Sequence, residues 1–246
     1  MSSHTGRRPA SRYVCRTDRA KGERMYSGDL HRQTSDSLRA AVFIILSGGL
    51  QDAYTYCCRG GVFANAQTGN IVLLSGALFR GEWQTAIKYL IPILAFIMGT
   101  AATEAVHIRL KHCKRLHWRQ MILLWEIALL LAVGFLPSGA DALANALVSF
   151  VCAMQVQAFH KLHGHIYAST MCIGNMRSGV EALCAYFKGR DRAILRKALT
   201  YFGVILVFGI GAGLGSMLSG CLGVRGIWLC CGLLWISFLL MFVPET

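Results

Sequence analysis

Phe63 to Asn70 reads FANAQTGN, which sets two asparagines, a glutamine and a threonine between two oily runs. Later in the chain Tyr167 to Asn175 reads YASTMCIGN, a second polar knot in the same kind of setting. Whether these knots cross a membrane or dip into it decides the fold, because the number of crossings fixes how the two halves of the chain point.

The runs around the knots have membrane character. Hydrophobic residues make up 54% of the 246, charged residues only 15%, and mean hydropathy is +0.47, too apolar for an ordinary soluble domain of this length. Stretches such as LRAAVFIILSGGLQDAYTYCC (38–58) and ALTYFGVILVFGIGAGLGSML (198–218) reach the ~20 apolar residues that carry a helix across a hydrocarbon core. They do not alternate as barrel strands do. The formal charge of +13 sits almost wholly in Lys and Arg outside the apolar runs, where basic loops orient helices in a bilayer. No zinc-finger spacing, RNP pattern or basic heptad helix is present, so no nucleic acid is expected as partner. Eight of the ten cysteines lie within or at the ends of apolar segments and no CxxC pair occurs, so they read as small buried apolar residues. Residues 1–37 carry eight basic and four acidic residues and no signal-peptide core, which predicts a disordered cytoplasmic tail. A start at Met25 would remove much of that tail without touching the fold.

Apolar runs mark eight segments: 38–58, 63–79, 86–108, 119–136, 141–159, 166–187, 198–219 and 224–243. They repeat. Beside the paired knots, RGEW after the second segment answers KGRD after the sixth, and ILAFIMGTAA in the third answers ILVFGIGAGL in the seventh. Leu123-Leu124-Trp125 with Leu129-Leu130 stands opposite Leu233-Leu234-Trp235 with Leu239-Leu240 at identical spacing. The pairs fall 104 to 112 residues apart in the same order, which predicts one membrane domain, 38–243, made of repeats 38–136 and 141–243.

Eight crossings would place the basic loop with Arg109, Lys111, Lys114, Arg115 and Arg119 outside and the Lys- and Arg-free loop 137–141 inside, against the positive-inside rule. If segments two and six instead enter and turn back, both loops fall on the expected sides. The sequence therefore predicts an all-α transmembrane bundle of six spanning helices plus two short polar, re-entrant segments. Each half then has three spans, and the second is inserted upside down relative to the first, a 3+3 inverted repeat.

Non-helical backbone survives at membrane depth only where protein or a water-filled cavity satisfies its N–H and C=O groups. Asn65, Gln67, Thr68 and Asn70 in one knot and Ser169, Thr170 and Asn175 in the other are suited to that task. Gly69 and Gly174 permit a turn or close approach. Two such tips meeting near the midplane would offer N–H groups to a small polar or anionic solute; the alternative reading is interhelical hydrogen-bond glue. Ionisable residues within segments are few, and each is costly there, ~2.5 to 3.5 kcal/mol on insertion scales. Asp52 and Arg177 are expected to approach as an ion pair, structural or coupled to protons. Glu104, Glu126 and Glu181 are expected to reach toward the interfaces. The histidines of HKLHGH (160–165) and of the basic loop read as interfacial, since a metal needs at least three convergent ligands. Gly209 with Gly213, and Gly211 with Gly215, give overlapping small-xxx-small spacings for tight helix packing.

GGLQDAYTY (48–56), GGVFANAQTGN (60–70), MQVQAF (154–159) and STMCIGNMRSG (169–179) together resemble the YoaK-like family of small bacterial integral membrane proteins, a domain-of-unknown-function family, over about residues 38–243. The resemblance implies about six membrane helices in a bacterial plasma membrane and no known substrate. Where that family often has Thr before the second Gly-Asn, this chain has Ile173.

The expectation is a small-solute secondary transporter or permease, multi-pass, with a cytoplasmic N-terminus and a site formed by Asp52, Asn65, Gln67, Thr68, Gly69, Asn70, Ser169, Thr170, Gly174, Asn175 and Arg177. Its expected partners are the lipid bilayer and the solute. No cofactor or metal is expected, and no enzymatic activity, since no Ser-His-Asp set, HExxH, P-loop or dinucleotide fingerprint occurs. The rival is a non-transporting scaffold or partner-binding subunit in which the knots are packing.

Overall fold

A computed structural model of the chain describes residues 38–110, 118–159, 161–162, 165–166 and 172–242. The chain divides into two units, Met1–Gln33 and Thr34–Thr246; the described residues all lie in the second, and the expected tail lies outside them. The elements are α1 (Leu38–Cys58), α2 (Gln67–Phe79), α3 (Trp83–Leu110), α4 (Trp118–Val133), α5 (Asp141–Ala158), α6 (Cys172–Gly189), α7 (Arg192–Leu222) and α8 (Trp228–Leu240). Short 3-10 turns precede α5 and α8. Among the described residues the strands are a two-residue antiparallel ladder, Lys161–Leu162 (β1) with His165–Ile166 (β2), where the sixth segment was expected to begin.

Three helical stretches are long and apolar enough to cross a membrane by length and composition: Trp83–Arg109, Ser138–Ala158 and Arg192–Leu240. Their outward faces carry large apolar side chains such as Ile97, Met98, Leu206 and Met217, as lipid-facing helices do. The polarity is inside. Ser47, Gln51, Asp52 and Thr55 on α1, Arg59 just past its end, and Asn145, Ser149 and Gln155 on α5 are all buried.

α1 and α5, the first helix of each predicted repeat, are the inner pair. Gln155 Nε2 donates to the Ile44 carbonyl, Cys152 meets Gln51, and Asn145 Nδ2 reaches the Arg59 carbonyl. As one index rises the other falls, so α1 and α5 run antiparallel. α7 packs along α1 in parallel, with Gly211 against Leu46, Gly215 against Leu50 and Cys58 near Ser219. α3 packs along α5 in parallel too, with Gly99 against Phe150 and Glu104 bonded to Gln157.

The packing interchanges between the halves. A Cβ on Gly99 would strike the Phe150 carbonyl oxygen, and one on Gly211, its counterpart in the repeat, would strike that of Leu46, the counterpart of Phe150. The third helix of each half thus lies on the first helix of the other. In the same way α8 packs on α1 as α4 packs on α5, α2 packs on α3 as α6 packs on α7, and α4 meets α8. Gln51 and Gln155, 104 residues apart, bond to each other at 3.3 Å.

Of the two overlapping glycine pairs in α7, Gly211 and Gly215 take the close approach to α1, while Gly209 and Gly213 have open space.

Candidate functional site

The first knot begins where α1 ends. Gly60 and Gly61 adopt φ of +84° and +76°, a left-handed conformation that glycine tolerates without steric cost, and the chain reverses. It then runs back along α1: Asn65 Nδ2 bonds to the Gly48 carbonyl at 3.1 Å, eleven residues up the helix from Arg59, or about 16 Å of helical rise. Asp52 Oδ1 accepts the Asn65 backbone N–H at 2.9 Å. Only then does α2 start.

Its own side chains brace this extended backbone. Asn70 accepts the Phe63 N–H at 3.1 Å and donates to the Phe63 carbonyl at 2.6 Å, and Gln67 Nε2 caps the Ala64 carbonyl at 2.7 Å. A second bond joins Asn70 Nδ2 to Gln67 Oε1 at 2.9 Å. Segment two therefore enters its helix at Gln67 and not at Phe63, because Asn70 holds residues 63–66 out of it. The Phe63 ring stacks on Tyr56 and leaves no room for a side chain at Gly69. Thr68 is exposed and bonds to none of these groups.

From this buried entry α2 runs to a surface turn, where Arg80 bonds Glu82 at 2.8 Å and Phe79 and Trp83 stand exposed. The Arg80 guanidinium holds the Glu82 carboxyl below its usual range. A Cβ on Gly60 would touch the Lys88 ammonium near the start of α3, so the chain comes back to the end at which α1 left off.

In the second knot Ser169 and Thr170 lie outside the described residues. Asn175 is buried, and Gly174 is exposed with open space around it. The expected ion pair between Asp52 and Arg177 does not form: Arg177 lies on the exposed face of α6 and pairs with Glu181 at 2.9 Å, while Asp52 is taken by the first knot. Helical spacing of four residues favours the Arg177–Glu181 pair.

The structure adds groups that sequence reading missed. Between α1 and α5 Gln51 donates to Ser47 at 3.0 Å and to Gln155, and accepts from Cys152 at 3.0 Å. The signal was present in the sequence, since GGLQD and CAMQV place Gln51 and Gln155 at one repeat offset. Arg59, which lies between the first two apolar segments and drew no reading from the sequence, is fully buried. Its Nε donates to Tyr54 Oη at 2.8 Å, Nη1 to the Pro137 carbonyl and to Asp141 at 2.9 and 3.1 Å, and Nη2 to the Leu136 carbonyl at 2.9 Å. It closes the C-terminal end of α4, where helix carbonyls otherwise lack partners. Glu126 was expected to reach an interface. It is fully buried instead, with neither carboxylate oxygen hydrogen-bonded among the described residues. Glu104 and Glu181 do reach the surface.

Two apolar clefts of about 350 and 310 Å³ open on the outer face, one lined by Met121, Leu124, Trp125 and Ala128, the other by α1 and α7. Neither includes a knot residue. Among the described residues no group of three or more His, Cys, Asp or Glu is placed to hold a metal.

A family model described as "Protein of unknown function (DUF1275)" matches residues 40–240. No curated protein and no solved structure matches the chain.

Proposed function

The chain belongs to the DUF1275 family, and from that premise we propose that it is a small-solute secondary transporter of the bacterial plasma membrane, built as two inverted halves of three spans each. The observation that carries this reading is the antiparallel course of α1 and α5, which occupy equivalent places in the two repeats. Helices one and five of an eight-crossing chain would run in the same direction. An antiparallel pair needs an odd number of turns back between them, which six crossings provide when α2 and α6 return to the side they entered. The fold-back of residues 60–66 along α1 supports the same course for the first of them.

In this reading the solute meets the protein on the inter-repeat axis. Gln51 and Gln155 stand there, with Asp52 and Asn65 beside them holding the tip of the first knot. Ser169, Thr170, Gly174 and Asn175 would supply the opposite tip, while Arg177 plays no part. Uncharged hydrogen-bonding groups of this kind suit a small polar solute.

A second reading has its own observation. Asn70, Gln67 and the backbone of Phe63 and Ala64 satisfy one another, as packing glue would, and a scaffold or partner-binding subunit would need no more. Liposome swelling separates the two. Proteoliposomes in iso-osmotic solutions of small polyols, amides and organic acids should swell faster than empty vesicles for at least one solute, and Gln155→Leu should remove the difference. Equal swelling throughout, with well-folded protein, supports the scaffold.

A further inference from the structure

We propose that Glu126 is a reversible proton-binding site, reached from the Asp141 end of the bundle along the α5 face that carries Asn145 and Ser149. Among the described residues, Arg59 and Glu126 are the charged side chains with no exposure at all. Arg59 is bonded on every side; Glu126 has no hydrogen bond and no salt bridge. A carboxyl held that way at membrane depth is a functional group by default, since an unpaired charge there is costly and a packed Leu would serve better.

Its surroundings point the same way. α4 and α5 pack as a hairpin around Pro137, and Glu126 and Ser149 lie at nearly equal sequence distances on either side of that turn, which puts them level. Ser149 Oγ and Asn145 Oδ1 are buried and also lack partners among the described residues. Asp141, Asn145 and Ser149 follow at intervals of four on one face of α5, each step about 6 Å deeper. Asp141 is 41% exposed and meets Arg59, and Asn145 Nδ2 holds the Arg59 carbonyl. The file therefore runs from an exposed carboxylate, past two unpartnered acceptors, to the level of a buried acid.

Other titratable groups on the elements packed around α4 are Cys152 of α5, Cys230 and Cys231 of α8, Lys88, Tyr89, Glu104, His107 and Arg109 of α3, and Arg225 of the 3-10 turn before α8. Arg119 stands two turns before Glu126 on α4 itself. The chemistry is minimal: a proton adds to one carboxylate oxygen and later leaves it for water, with no other bond changed. Use of that proton for coupling rests on the transporter reading; its binding does not.

Infrared difference spectra of the lipid-reconstituted protein across a pH titration test the proposal. One component of the protonated-carboxyl stretch, appearing above the pH range in which exposed carboxylates protonate, should vanish in Glu126→Gln and survive in Asp52→Asn. Glu126→Asp should shift it, and Ser149→Ala should move its frequency by removing a neighbouring hydroxyl. Asn145→Leu should slow its exchange in deuterated buffer. Absence of that component, its persistence in Glu126→Gln, or a Glu126 signal that responds to sodium and not to pH would each overturn it. Loss of liposome swelling with the band intact would count against the transporter and leave the proton site standing.

Discussion

At the scale of single residues, the chain puts its exceptions where backbones nearly touch or where carbonyls need a donor. Gly99 and Gly211 each admit a neighbouring carbonyl that a methyl group would strike, so Gly99→Val and Gly211→Val should each destabilise by about 1–3 kcal/mol through overpacking. Gly209→Ala and Gly213→Ala should be close to neutral by the same thermal unfolding in detergent. Arg59→Met should cost about 1–3 kcal/mol, since it leaves the Leu136 and Pro137 carbonyls at the end of α4 and the Tyr54 hydroxyl without their donor. Some of this could be read from sequence. The glycine spacing in α7 was visible, but not which pair faces a helix, because both lie at intervals of four. Glu126 was misread because its carboxyl sits among apolar letters on every side, and only packing shows whether such a residue points in or out.

At the scale of elements, residues 60–79 set the topology. α2 has 13 residues, about 20 Å of helix, which is short of the ~30 Å hydrocarbon core. Cysteine labelling from outside intact cells checks the consequence. In a background free of other cysteines, Gly139→Cys should react with a membrane-impermeant maleimide and Cys113 should react only after permeabilisation. The opposite pattern would fit eight crossings or a reversed insertion, and either would overturn the proposed six-crossing topology with its N-terminus inside. Charge counting had already separated these cases, because Lys and Arg cluster in 109–119 and are missing from 137–141. The helix boundaries were legible where apolar runs stop, as at Cys58. They were not legible at Phe63, where a side chain seven residues on keeps the backbone extended.

At the scale of the whole molecule, the collinear motifs of the two halves were legible in the sequence, but how the halves pack together was not. Similarity between halves says nothing of whether each half packs on itself or on the other, and here α3 goes to α5 and α7 to α1. The contact between Gln51 and Gln155 belongs to this level. Gln51→Leu and Gln155→Leu should each destabilise, and the double variant by less than their sum, with a coupling of about 0.5–3 kcal/mol in a double-mutant cycle.

The exchanged third helices bear on how the molecule is made. In the proposed membrane topology, when the ribosome has delivered the first four helices, both of the long-helix neighbours of α1 and α3 are still to be synthesised. Gln51, Asp52 and Ser47 then have only each other, the knot and whatever water or lipid headgroup reaches them. Either repeat expressed alone should stay with the insertion machinery or be degraded, and the two expressed as separate chains should rescue one another, since what each lacks is the other's inner helix.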